Sequence, residues 1–230
     1  MFRELFSIFQ GDSPFRAISE NTAHMLEIVA AMTIAAGKIF WEEGFDPGDR
    51  RDLYRRDVEV NKLQREIRKQ VIAHVSVHAP AGLPYALVMM SVVKDVERIG
   101  DYAKNLVDMA ELVLEELPDD PLVDELQEIR RSVESLVTEA AAAFLESDTD
   151  RAHELTREGR RVSKRCDRLV LDVAHSDFTA AAAVKISMGA RFYKRIEGHY
   201  LNILSSVIMP LHKLDYFDED YLEDLENEGS

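Results

Sequence analysis

A chain of 230 residues with a formal net charge of −15 and 46% hydrophobic content has the apolar mass for a sizeable core and too little cationic surface for phosphate-backbone binding. Nucleic acid is therefore excluded as the main partner. The single cysteine, Cys166, rules out an intrachain disulfide and any multi-cysteine metal centre, which fits a reducing cytoplasmic setting; 10 Gly and 7 Pro leave few breaks between elements.

Taken in chain order, Met1 to Phe9 carries charges where a secretory signal needs an unbroken apolar stretch. Phe2, Leu5, Phe6 and Phe9 follow helical spacing, so this start reads as a short docked helix, with membrane-surface contact as a second reading. No unbroken apolar run approaches the roughly 20 residues that span a bilayer. Turn-forming residues then fall at Gly44–Gly48, Ala79–Pro84, Leu117–Pro121, Ser147–Asp150 and His175–Asp177.

Six helices are predicted between these breaks, each from apolar residues three and four apart. Their core stripes are Met25, Ile28, Val29 and Met32; Val60, Leu63, Ile67 and Val71; Met89, Val92, Val93, Val96 and Ile99; Leu126, Ile129, Val133, Leu136 and Val137; Cys166, Leu169, Val170 and Val173; and Ile196, Ile203, Leu204 and Val207. The methionines Met25, Met32, Met89, Met90, Met109, Met188 and Met209 belong to the same core. Alternation at period two is absent, so no sheet is expected. Asp46 before Pro47 and Asp120 before Pro121 read as N-caps followed by proline in the first turn.

An internal repeat organises the six helices. Arg98-Ile99 with Asn105 recurs 97 residues later as Arg195-Ile196 with Asn202, at the same point of the third and sixth helices. The expected division is an N-terminal segment 1–17, a three-helix unit 18–117, a second unit 121–213, and a tail 214–230; the alternative is one irregular six-helix domain. The tail holds eight acids and no base after Lys213, interleaved with Tyr216, Phe217, Tyr221, Leu222 and Leu225. It reads as a disordered solubilising segment, or as one that folds onto a basic partner.

Two acidic pairs stand out. Asp57 with Asn61 on the second helix, and Glu97 with Asp101 on the third, are each i, i+4 and share a helix face. Asp57 lies about 24 residues before the middle of the intervening turn and Glu97 about 15 after it, so at roughly 1.5 Å per residue the two are axially offset unless the turn is displaced. Three carboxylates and an amide suit hard cations such as Mg²⁺, Ca²⁺, Mn²⁺ or oxidised iron better than zinc. Without a cation the carboxylates repel, so one is protonated or paired to Arg98 or Lys94. A solvated face of charge pairs is the competing reading of the same spacing.

Motifs of established chemistries are missing. None of the seven histidines has a glutamate three residues earlier, which disfavours a di-iron carboxylate centre. Asp150-x-x-His153 and Asp172-x-x-His175 sit beside helix ends and read as caps or surface histidines. No nucleophile elbow, phosphate-binding loop or dinucleotide fingerprint is present.

Glu97-Arg98-Ile99-Gly100-Asp101 followed by Asn105, with Asp57-Val58-Glu59-Val60-Asn61 on the preceding helix, resembles the signature of the PhoU family, and the resemblance runs from the first long helix to Pro210. It implies an all-α fold of two tandem three-helix bundles and a non-enzymatic regulator of phosphate uptake that acts on a membrane phosphate transporter, a phosphate-sensing histidine kinase, or both. Carried over, it makes Asp57, Asn61, Glu97 and Asp101 the metal-ligand face of the first repeat, with Fe, Mn, Mg, Ca and Zn all open and oxygen-ligand metals favoured. The second repeat departs from the pattern. Lys194 and Gly198 stand where counterparts of Glu97 and Asp101 are expected, and pairing Cys166 with Leu63 sets Arg160 and Lys164 opposite Asp57 and Asn61. Arg160, Lys164 and Lys194 are then an anion or partner contact, or a plain solvated face. The resemblance leaves open peripheral membrane association, homo-oligomerisation and the transporter type. A phosphohydrolase of metal-carboxylate type and a metal-free helical interaction protein are the alternatives.

Overall fold

Apolar stripes this regular, on segments whose prolines fall in the first turn and whose interior glycines are isolated, produce six long helices. The computed structural model describes residues 13–41, 47–78, 82–113 and 116–214. They form α1 (Ser13–Phe40), α2 (Pro47–His78), α3 (Leu83–Leu112), α4 (Pro121–Glu146), α5 (Thr149–Ala174) and α6 (Ala180–Ile208), followed by a 3₁₀ turn at Leu211–Lys213. The shortest helices have 26 residues and the longest 32, so each runs about 40–50 Å at 1.5 Å per residue. Helices of that length owe most of their stability to packing of the apolar face rather than to propensity.

The predicted stripes are the core. Met25, Val29, Met32, Val60, Ile67, Val93, Val96, Ile99, Leu126, Ile129, Val133, Cys166, Ile196, Ile203 and Leu204 are fully buried. Leu63, Val170 and Val207 are only partly buried and pack against its rim. Met25, Met32, Met89 and Met109 are buried, and Met90, Met188 and Met209 lean on the core from outside. The 25 residues Arg16–Phe40 of α1 also have the length and mean hydropathy of a membrane span. Counting unbroken apolar runs missed this, because Glu20, Asn21, His24 and Glu27 interrupt the run without lowering the average enough. Within the fold α1 is a core helix, with Ile18, Thr22, Met25, Leu26 and Thr33 all at 0% exposure.

Two three-helix bundles result. α1, α2 and α3 pack against one another, as do α4, α5 and α6. The bundles meet through like helices, α3 against α6 and α1 against α4. α2 and α5 flank this central layer.

The ends of α4 and α5 show how the chain reverses so tightly. Asp120 is extended and its side chain accepts from Leu122 N at 2.8 Å, the expected N-cap of α4. At the other end Ser147 adopts the left-handed conformation (φ 53°, ψ 40°), with Ser147 N donating to Phe144 O and Asp148 N to Ala143 O. This is a Schellman closure. Asp148 then caps α5 by accepting from Arg151 N at 3.0 Å, so one residue pair ends one helix and starts the next. Asp148, rather than Asp150, is the cap, and His175 binds Leu171 O at the end of α5. The Asp46 cap, the Met1–Phe9 segment and the acidic tail from Asp215 lie outside the described residues.

A carboxylate cluster bridged by lysine as candidate metal centre

Antiparallel packing of α2 on α3 sets the candidate site. Rungs of polar contact run between them: Arg50 to Glu111 at 2.5 Å, Tyr54 Oη to Asp108 at 2.5 Å, and Gln64 Nε2 to the Val93 carbonyl at 3.2 Å. Asp57 falls between the second and third rungs, and its partner is Lys104. Lys104 Nζ lies 2.9 Å from Asp57 Oδ2 and 3.0 Å from Asp101 Oδ1. The axial offset expected between Asp57 and Glu97 is thus filled, because the α3 residue level with Asp57 is a lysine.

The four sequence-predicted residues share this cluster. Asn61 Nδ2 donates to Asp57 Oδ2 at 3.3 Å, and Arg98 reaches Asp101 at 3.2 Å and Glu97 at 3.7 Å. Burial raises the Glu97 pKa, and the nearby charges of Asp101 and Asp57 add to the rise while Arg98 and Lys104 oppose it. For Lys104 burial works against the charge, but hydrogen bonds and attraction from Asp57 and Asp101 outweigh it and raise its pKa. Arg98 acts as the counter-charge that the sequence suggested; Lys104 was not foreseen, since a lysine at i+3 from Asp101 looks like an ordinary surface pair.

The donor chemistry fits a hard cation. All candidate ligand atoms are carboxylate or amide oxygens. Asp57 is 8% exposed, and its Oδ1 is buried with no hydrogen-bond partner. As it stands, though, the cluster is closed on Lys104: among the described residues no three His, Cys, Asp or Glu side chains are gathered at metal-holding reach. Three carboxylates against two cationic side chains leave one negative charge over.

The corresponding place in the second bundle is built differently. Lys194 Nζ is 2.5 Å from Asp167 Oδ2, and Arg191 approaches the same carboxylate at 3.6 Å. Arg160 is half-buried and Lys164 exposed on α5. Beneath them Glu197, at 0% exposure, accepts from Ser163 Oγ at 2.7 Å. A Cβ placed on Gly159 would sit 2.5 Å from Glu197 Oε1, whereas in the first bundle Gly100 faces the Asp57 carboxylate. Acid and glycine have exchanged helices. Glu197 was legible only as the residue that the repeat aligns with Gly100.

A third polar group joins the bundles. Asp95, 1% exposed on α3, accepts from His199 Nδ1 at 2.7 Å and from Asn202 Nδ2 at 3.2 Å, both on α6. Sequence reasoning marked Asn202 only as a repeat echo and passed over Asp95.

With helices and cluster in place, the family model for the PhoU domain matches residues 22–110, which span α1 to α3 and contain all four candidate ligands. By this match the chain is similar to the PhoU family. It is 26% identical over 164 residues to the phosphate-specific transport system accessory protein PhoU homolog 1 of Thermotoga maritima, covering 69% of this chain and 71% of that one. A PhoU homolog of the same description from Synechocystis is 25% identical over 154 residues, or 65% of this chain and 68% of that protein. Among solved structures, PhoU from Pseudomonas aeruginosa superposes with a TM-score of 0.77 at 22% identity, covering 86% of this chain and 97% of that one. The phosphate transport system regulatory protein PhoU from Streptococcus pneumoniae gives 0.68 at 13% identity, with 90% and 95% covered. At these identities the superpositions speak for the PhoU fold, two helical bundles in tandem.

Proposed function

We propose that this PhoU-like chain is a cytoplasmic, non-enzymatic regulator of phosphate transport and phosphate signalling, which docks on a membrane phosphate transporter, a sensor kinase, or both. The observation that carries the reading is the gathering of Asp57, Asn61 and Asp101 about Lys104 across α2 and α3, with Glu97 joined through Arg98, inside the segment matched by the PhoU model. Relatives named as accessory proteins of the phosphate-specific transport system support the same assignment. In this reading the first bundle holds one hard cation. Asp57, Glu97 and Asp101 supply carboxylate oxygens, and the Asn61 side-chain oxygen completes the set once its amide turns. The cation supplies charge neutralisation, which ties α2 to α3 and fixes the surface they offer to a partner. Arg160, Lys164 and Lys194 are a second contact, toward an anion or an acidic partner surface.

The test is metal analysis of chain purified without chelator, beside a pull-down from membranes containing a phosphate transporter. A bound ion lost in the Glu97→Gln, Asp101→Asn double variant, together with transporter capture, supports the reading. Equal metal content in both proteins sinks the site, and turnover of a phosphate ester would favour a phosphohydrolase instead.

A further inference from the structure

The space between Asp57 and Asp101 already holds a cation of the chain's own. Lys104 Nζ stands 2.9 Å from one carboxylate and 3.0 Å from the other, bridging two helices where a metal would neutralise the same pair. Its side chain is 20% exposed, against 11% for Asp57 and 29% for Asp101. The bridge is therefore shielded from the solvent screening that makes exposed ion pairs worth little. Arg98 differs: at 54% exposure it touches Asp101 and Glu97 from the outside. A lysine also has the right mobility for a removable plug, a compact charge on a flexible four-carbon stem.

We propose that Lys104 is the built-in counter-ion of this cluster, so that the Asp57–Lys104–Asp101 bridge and a bound metal ion exclude one another. The inference rests on the cation site proposed above. Two closed forms follow. In the metal-free form the ammonium ties α2 to α3. In the loaded form the ammonium has swung to solvent, and Asp57 offers both oxygens, including the Oδ1 that lacks a hydrogen-bond partner. A cation that enters must first displace a paired charge, so the lysine lowers the site's affinity and keeps the bundle clamped when metal is scarce.

The experiment uses the full chain with Mn²⁺ as the probe, comparing thermal unfolding and direct Mn²⁺ titration in wild type, Lys104→Met and Arg98→Met. Metal-free Lys104→Met is expected to melt below wild type. It should bind Mn²⁺ roughly tenfold more tightly and gain more Tm from it, because a desolvated competing charge is gone. Arg98→Met should change affinity by less than about threefold, as befits an exposed pair. Mn²⁺ binding in Lys104→Met no tighter than in wild type overturns the proposal, including the case in which neither binds. Binding by the variant alone upholds the exclusion and sinks the cation reading of the native chain; equal binding by both keeps that reading and removes the exclusion. Should Lys104→Met fail to fold, Lys104→Gln carries the same comparison.

Discussion

Tyr102 and His199 occupy the same position in the two bundles, 97 residues apart, and their rings stack on each other with centroids 5.6 Å apart and planes at 21°. The neighbouring contacts obey the same exchange. Tyr102 meets Phe192 at 6.3 Å, and His199 meets Asp95, whose place in the first bundle is that of Phe192 in the second. This is the pattern of a two-fold interface, in which residue i contacts j and the copy of i contacts the copy of j. Here both halves lie in one chain, so the halves are free to differ: one side is an aromatic pair, the other a buried carboxylate with a histidine.

That asymmetry makes the Asp95–His199 contact a measurable tie between the bundles. His199→Ala leaves a carboxylate that is 1% exposed with Asn202 still donating to it, and is expected to cost about 1–3 kcal/mol. Urea unfolding of a cycle with Asp95→Asn should give a coupling above about 0.5 kcal/mol. Simple additivity of the two substitutions would show that the contact adds nothing.

Gly159 and Gly198 should respond to alanine with opposite signs. At Gly159 the new methyl would come 2.5 Å from Glu197 Oε1 and 2.7 Å from Leu201 Cδ2, so an overpacking loss of about 1–3 kcal/mol is expected. At Gly198 nothing lies within 4 Å. There alanine removes the entropic cost of a mid-helix glycine and should add about 0.5–1 kcal/mol. Denaturation midpoints of the two variants decide it, and a loss at Gly198 would contradict the open space.

Ser147 is the one non-glycine residue among those described with positive φ, at 53°. Its hydroxyl is buried without a hydrogen-bond partner. Ser147→Gly keeps the Schellman closure and relieves the left-handed strain, so a gain of about 1 kcal/mol is expected from the melting temperature. An unchanged or lower Tm would mean that unfolded-chain entropy cancels the relief.

Cys166 is fully buried on α5, and burial, helped by the charge of Glu197 and opposed by Lys194, pushes its thiol up to about 12. A raised folded pKa for an acid means that the stability it supports is complete below its ordinary value of 9.0 and is lost as pH rises toward about 12. Burial of Tyr85 and Tyr200 raises their pKa values and adds a loss of the same sign at still higher pH. Cys166→Ala should flatten the decline above pH 9 in unfolding midpoints. Native protein should resist iodoacetamide at neutral pH and react once unfolded; rapid labelling of the native chain would contradict the buried thiol.

How far the sequence reached depended on whether a feature is local. Helical period is a property of a dozen consecutive residues, so the six stripes and the Asp120 cap were readable, and so was the Arg-Ile-Asn echo that led to two bundles. The candidate ligands were readable in pairs, because i, i+4 spacing alone puts Asp57 with Asn61 and Glu97 with Asp101. The partner of each pair was not. Which α3 residue lies level with Asp57 depends on the length and path of the turn, and a shift of a few residues along antiparallel helices replaces Glu97 with Lys104. The meeting of like helices was equally hidden, since α3 could have presented any apolar face to α6. Length, charge and periodicity therefore determined an all-α chain of two similar units with an acidic motif in the first. Only the packed structure decided that this motif closes on its own lysine, and that Asp95 and His199 hold the units together, because both depend on side chains brought within 3 Å across helices far apart in sequence.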